Sequence, residues 1–497
     1  MQAASVLLAR GSSELFVVRR SENLRFLGGF VAFPGGKVAS ADRHIQPLGH
    51  DNAPERCVTA ARELFEETGV LLARKLDGSF LPAGDVLRYL RRKMIAEELS
   101  FHQILDRLGL AIHASDFVTL GSVTTPPFVP TRFDTAFLLA RLPPHQEAEV
   151  WPGELDWGEW TTPEHLLQRW ARGECLVSPP TVVILEAIHR HAREEIPSAL
   201  AAVFGPLHEE AIPPIYFAPN VQLIPLDTQA LPPSTHTNAY LVGSGPTYLL
   251  DPGTALPAEQ ERLFAVLDAH QAGGRSLHAV VLTHQHPDHI GAAAACAQRY
   301  GVPIYAHSLT AAKLAGKVTV DRTIEEGEHL DLGEAPDGSG RWHLEAIHTP
   351  GHAAGHLAFW EPRYRLLFVG DMVSTLSSVV IAPPDGDLAV YLDSLKRLRA
   401  YDCRLLLPSH GSPSARPGQA IDECIAHRVR RENELLAALS ATPRSVADLA
   451  LELYRGLVPA MMRFAELQVL AGLKKLECEG RAQATNTNER AQWSLIA

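Results

Sequence analysis

Cysteine is scarce in this chain: six thiols among 497 residues, at Cys57, Cys175, Cys296, Cys403, Cys424 and Cys478. They form no CxxC pair and no closely spaced framework, which excludes a disulfide-stapled scaffold and predicts reduced, mostly buried thiols. Long hydrophobic runs are lacking too. No stretch approaches the roughly 20 apolar residues that a membrane-crossing helix needs. The apolar run within MQAASVLLARGSSELFVVRR follows no basic segment and precedes no cleavage pattern, so it reads as two strands rather than a targeting signal. A cytoplasmic protein without membrane partners is the expectation. Positive charge is in deficit, 45 Lys and Arg against 57 Asp and Glu. The net −12 disfavours a surface-wide nucleic-acid footprint while leaving room for a local basic patch. Internal repeats and low-complexity tracts are absent from the sequence.

What is present is ordinary globular material, 46% apolar and 21% charged. Its length exceeds what one hydrophobic core organises and predicts three domains. ASVLLAR, LFVVRR, FVAFPGG and DTAFLLARL have strand character. A helical pattern runs from about Glu55 to Thr68 and stops at Gly69. TVVILEAIHRHAREE predicts a helix that finishes the first unit, and the proline-rich segment 204–220 predicts a linker. Strands and helices then alternate as far as LLLPSHG, the pattern of a layered α/β domain. From about Ile421 helices follow one another, and LKKLECEGRAQATNTNERAQWSLI predicts a recognition-type helix running into a hairpin.

Directly after an apolar strand, THQHPDH packs four potential metal ligands into six residues: His284, His286, Asp288 and His289. Strand alternation predicts that His284 and His286 share a side, with the following turn bringing the other two round. Imidazole and carboxylate together suit zinc, and also manganese or iron. Three further segments end in similar donors: LLFVGD in Asp371, LLLPSHG in His410, and IHTPGHAAGH in His348, His352 and His356. Over roughly residues 224 to 412, including LLDPG at 249–253, these motifs closely resemble the metallo-β-lactamase superfamily. The resemblance implies one metal on His284, His286 and His352, and a second on Asp288, His289 and His410. Asp371 would bridge them, and Asp288 would also serve catalysis, with His348 and His356 in structural roles. Two cations about 4 Å apart lower the pKa of water between them and stabilise a developing oxyanion, so hydrolysis is implied.

A second chemistry-bearing motif lies upstream. AFPGGKVASAD followed by TAARELFEETGV sets Glu63, Glu66 and Glu67 at i, i+3 and i+4 of one helix face, an arrangement that repels itself unless a cation neutralises it. Magnesium, or manganese, fits such a face together with a diphosphate. The motif resembles the Nudix box, with Arg62, Leu64, Gly69 and Val70 also in place. That likeness implies Glu63 and Glu67 as catalytic carboxylates, all three glutamates as magnesium ligands, and Gly35, Gly36 and Arg62 as substrate-binding. Two departures mark a subtype: Asp42 stands for the upstream glutamate, and about a dozen extra residues precede Arg62. RSENLRFLGGFVAFPGG is also similar to the coenzyme A diphosphatase signature at Ser21, Arg25, Gly29 and Phe33 to Gly36, with valine where that pattern has threonine.

GDLAVYLDSLKRL, LLLPSHG and HRVRRENELLAALS look like the superfamily branch containing beta-lactamase-like protein 2, whose members append a winged-helix-like domain and some of which cleave single-stranded RNA. Residues 427–497 carry ten Lys or Arg against eight Asp or Glu. Single-stranded RNA is therefore one partner to consider, and packing beside the active site or homodimer formation is the other role for this tail.

The expected architecture is multidomain α/β: a Nudix α/β/α sandwich over 1–203, a linker over 204–220, a metallo-β-lactamase αβ/βα four-layer sandwich over 221–415, and a small helical winged-helix-like domain over 420–497. The expected activity is bifunctional. The first site would cleave a nucleoside diphosphate derivative, coenzyme A or acyl-CoA included, and the second a thioester, ester or RNA phosphodiester. The alternative is a single-activity metallo-hydrolase whose first domain only binds or senses a nucleotide.

Overall fold

The computed structural model describes residues 1–24, 27–49, 53–126, 129, 131–192, 194–204, 212–485 and 491–496. Arg25 lies outside them. They form two compact units, Met1–Leu223 and Ile224–Ala497.

The first unit is built on the strand Gln2–Arg10, which pairs parallel with Asp134–Arg141 and antiparallel with Glu14–Arg20 and Gly35–Lys37. Residues alternate between sheet faces. Val6, Leu8, Phe16 and Val18 therefore pack with Val58, Ala61, Leu64 and Phe65 of the helix Pro54–Thr68. Leu7, Leu15 and Val17 face the opposite way, towards the helices Pro163–Ala171 and Pro179–Arg190. Burial on both faces explains why these strands are apolar without a polar side. The helix Pro54–Thr68 starts with Pro at its first turn and ends at Gly69, whose φ of 76° is left-handed and whose N–H reaches Phe65 O at 2.9 Å. Buried Arg91 donates to the carbonyls of Glu66 (2.9 Å) and Glu67 (2.7 Å), placing a cation where the helix is negative.

Two expectations change here. The helix over TVVILEAIHRHAREE stops at Arg190, and a second, Ile196–Phe204, comes after it. Pro197 lies in the first turn of that second helix, where its missing N–H leaves no bond unmade. The expected linker contains a strand, Ile215–Ala218, paired antiparallel with Val221–Leu223 through a turn where Asn220 has φ 53°. Asn tolerates that conformation, and the buried Phe217 ring meets Phe30 at 6.0 Å. Residues 205–211 of the linker lie outside the described residues.

In the second unit, one sheet runs through Val221–Asp227, within which the boundary falls, then His236–Val242, Pro246–Leu250, Ser276–Val281, Ile304–Ala306 and Arg322–Thr323. Another runs in the order His329–Glu334, Arg341–His348, Leu357–Glu361, Leu366–Gly370, Leu405–Pro408. The sheets meet face to face, with Tyr240 edge-on to Phe368 at 5.2 Å and its hydroxyl on Pro408 O at 2.7 Å. Helices cover the outer sides; Leu388–Arg399 packs Tyr391, Leu395 and Leu398 on Ile347, Leu367, Val369 and Leu406. The helices Pro417–Ala438, Val446–Leu453 and Met462–Cys478 then enclose Leu435, Leu449, Leu473 and Leu476 beneath Trp493 of the hairpin Ala482–Ala484 and Gln492–Leu495. The predicted helix-then-hairpin pattern is present.

Candidate metal centre

Asp251, Thr283, Asp371 and His410 each come just after the end of a buried strand, and those ends lie together. The strand Ser276–Val281 stops because Thr283 turns to Asp251, its N–H on Oδ1 at 2.8 Å and its hydroxyl on Oδ2 at 2.7 Å. The strand-alternation argument for His284 and His286 is corrected by this: both lie beyond the strand. They still meet, His284 Nε2 and His286 Nδ1 being 2.9 Å apart. Pro287 opens a short turn, Pro287–Ile290, that swings Asp288 and His289 inward. A Cβ at Gly253 would sit 1.8 Å from Asp288 O, so only glycine lets this turn close.

Among the described residues, three sets of ligand-type atoms converge within 4.8 Å: His284, His286 and His352; His284, His289 and Asp371; and Asp288, His289 and His410. Asp371 faces both ends of the cluster. Its Oδ2 lies 3.5 Å from His352 Nε2, while Oδ1 lies 3.5 Å from His289 Nε2 and 3.4 Å from His410 Nε2. Each outer imidazole nitrogen is held from behind: His352 Nδ1 on Val380 O (2.7 Å), His289 Nδ1 on Asp251 Oδ2 (2.8 Å), His410 Nδ1 on His236 O (2.9 Å). Such outer contacts set tautomer and ring angle at metal sites. His348 and His356 are in none of these sets: His348 Nε2 lies 2.9 Å from Ala354 O, while His356 has Nδ1 2.8 Å from Thr349 Oγ1 and its Nε2 accepts the Asp371 N–H at 3.1 Å.

Burial holds the His284 imidazole well below its ordinary pKa and His352 down to about 4, so both present neutral nitrogen. Burial opposes charge on His289 as well, yet Asp371, Asp251 and Asp288 together hold it well above the usual value. A centre of this kind normally holds divalent cations, and one observation tests the fit. Among the described residues His289 Nε2 and Asp371 Oδ1 are buried with no hydrogen-bond partner and face each other at 3.5 Å, an arrangement that a cation held by both would relieve. The donor set fits zinc or iron.

The first unit holds the second motif. Gly35 N–H donates to Glu67 Oε2 at 2.9 Å, and a Cβ at Gly36 would meet Glu63 Oε1 at 2.3 Å, so the glycine turn lies against the carboxylates. Burial pushes Glu63 up to about 7 and Glu67 well above the carboxylate range, and the charge of Glu63 raises Glu67 further. Glu66 is half-exposed and bound to Arg62 at 3.3 Å. Substrate contact is the sequence expectation for Arg62, but its donors turn inward to buried Asp42 (2.8 Å), Glu63 (2.9 Å) and Lys37 O (3.0 Å). These contacts hold the guanidinium against Asp42 and Glu63. Asp42 is thus the anchor of that guanidinium, a role its place in the sequence does not reveal. Asp251 escapes sequence reasoning in the same way; its one signal is LLDPG, another apolar strand ending in a carboxylate.

Residues 233–410 match the family model described as the metallo-beta-lactamase superfamily. The middle of this chain is a metallo-beta-lactamase domain. Residues 445–493 match the model for a beta-lactamase associated winged helix domain, so a winged helix lies C-terminal to it. A beta-lactamase-like protein 2 homolog of Caenorhabditis elegans is 30% identical over 209 residues, 41% of this chain and 65% of that protein. The atrochrysone carboxyl ACP thioesterase of Emericella nidulans is 29% identical over 204 residues, 41% of this chain and 60% of that protein. The chain thus covers less than two thirds of the length of these curated relatives. A beta-lactamase domain protein from Burkholderia ambifaria shares the fold at 23% identity, with a TM-score of 0.50 and coverage of 57% of this chain and 94% of that one.

Proposed function

We propose that the metallo-beta-lactamase domain is a binuclear hydrolase in which His284, His286 and His352 hold one divalent cation, Asp288, His289 and His410 a second, and Asp371 both. The observation that carries this is Asp371, whose two carboxylate oxygens face different histidine sets. Bound there, two cations supply an activated water and a counter-charge for a developing oxyanion. The chain's own part is to keep the His284 and His352 imidazoles neutral, fix ring tautomers from behind and exclude bulk water. An acyl thioester is the favoured substrate class, in keeping with the thioesterase among the relatives.

The first unit is read as a magnesium-dependent Nudix-type diphosphatase acting on a nucleoside diphosphate derivative. Support comes from Glu63 and Glu67 lying buried beside Gly35 and Gly36, with Glu63 paired to Arg62 and Glu67 taking the Gly35 N–H. The test is one substrate panel, acyl thioesters and nucleoside diphosphate derivatives, run on the parent, His286→Ala and Glu67→Gln with metal content measured throughout. Thioester cleavage should fall about a hundredfold or more, and bound transition metal from about two equivalents towards one, in His286→Ala only, and diphosphate cleavage in Glu67→Gln only. Parent-like metal content in His286→Ala would sink the first assignment, and parent-like diphosphatase activity in Glu67→Gln the second.

A further inference from the structure

The loop after Asp371 supplies the carbonyl that orients His352, and it does not stand unaided. Val380 O accepts from His352 Nδ1 at 2.7 Å. One residue earlier, Val379 O accepts two donors from the C-terminal helices: Arg428 Nη2 at 2.6 Å, from Pro417–Ala438, and Gln468 Nε2 at 2.8 Å, from Met462–Cys478. Arg428 Nη1 closes the triangle on Gln468 Oε1 at 3.1 Å. The guanidinium is buried, 6% exposed, and lies 5.3 Å from the Tyr391 ring centre. Tyr391 in turn anchors the same region, its hydroxyl on Met372 O at 2.7 Å and its backbone so close to Gly351, the residue before His352, that a Cβ there would lie 2.3 Å away.

A buried arginine is costly, and here the groups it donates to are a neutral carbonyl and a neutral amide rather than a carboxylate. Core filling alone asks for no such group, since an apolar side chain packs as well without desolvating a charge. What this arrangement does supply is two strong donors on one backbone carbonyl adjacent to the one that fixes a ligand.

We propose that Arg428 and Gln468 are positioning residues for the metal centre: by clamping Val379 O they set the direction of Val380 O, and through it the tautomer and angle of His352. The winged-helix region thereby becomes part of the metal site. This inference rests on the ligand assignment proposed above.

The test is metal affinity. The full-length apo-protein is titrated with zinc against a chromogenic chelator, and its cobalt form is followed by visible spectroscopy, for the parent, Gln468→Ala, Arg428→Met, Arg428→Lys and Val469→Ala. Gln468→Ala and Arg428→Met should weaken one of the two metal equivalents about tenfold to a hundredfold, leave the other unchanged and alter the cobalt spectrum. Arg428→Lys, which keeps a donor, should restore most of that affinity. Val469→Ala removes neighbouring packing only and should lower Tm without moving either affinity. Parent-like titration of Gln468→Ala and Arg428→Met overturns the inference, and so does an equal loss in Val469→Ala. A parent that takes up fewer than two equivalents overturns the ligand assignment itself.

Discussion

Asp251 reaches the converging ligands through His289, and its two oxygens organise Thr283, Ser409 and His289 at once. Replacing it with asparagine puts an amide where the His289 Nδ1 proton needs an acceptor and reverses one of these contacts. Asp251→Asn should therefore weaken the metal at His289 and His410 by about tenfold to a hundredfold, read by chelator competition, with little change at the His352 end. A different residue carries a pH effect. His270 is buried against Thr247 Oγ1 at 3.1 Å, and burial holds its pKa down to about 4. Below about pH 6.5 the unfolded chain takes up a proton that the folded chain refuses, so stability falls as pH drops from about 6.5 to 4, by about 3 kcal/mol at most. Denaturant midpoints across that range should slope less steeply in His270→Gln; an unchanged slope would exclude this histidine as the source.

Among the elements, the helix Pro54–Thr68 is legible in the sequence almost to its ends. Its apolar spacing, Pro54 and Gly69 are local signals, and local signals suffice when a helix has its own start and stop. What closes its far end is not legible, because Arg91 arrives from a separate helix, Asp85–Ile95. Arg91→Met removes two donors from carbonyls that carry Glu66 and Glu67, and each charge-assisted bond is worth roughly 1.5–3 kcal/mol. We expect a loss of about 3 kcal/mol in urea unfolding of the first unit, with diphosphatase activity falling alongside. The strand Ile215–Ala218 hides from sequence reasoning for a related reason. Prolines around it signal loop, but its β-forming residues beside a turn-tolerant Asn220 are enough for a hairpin once Phe30 offers a packing partner.

At the scale of the whole molecule, the metal centre draws on strands and loops from Asp251 to His410 and, through Val379, on the C-terminal helices. Binding cations only in the folded state stabilises it by roughly 2.7 kcal/mol at a hundred times Kd. Dialysis against a chelator selective for transition metals, with magnesium kept in the buffer, should accordingly lower the thermal transition of the second unit by several degrees and leave that of the first in place, with zinc restoring it. Asp371→Ala should show no such shift. No helix among the described residues is long and apolar enough to cross a membrane.

The sequence by itself determined which ligand-type residues gather. The ligand-type residues sit just beyond strand ends, and those ends are written locally in apolar runs closed by His or Asp. The carboxylate spacing of the first unit comes equally from helical periodicity. Only the tertiary structure decided which groups stand behind those ligands. Asp251 behind His289, Val380 O behind His352 and Arg428 behind Val379 are far apart in the chain and marked by no periodicity. It also decided that the Arg62 guanidinium pairs with Asp42. A residue's type and spacing state what it can bind, whereas the direction its polar atoms face is fixed by whichever donors and acceptors the rest of the chain folds against it.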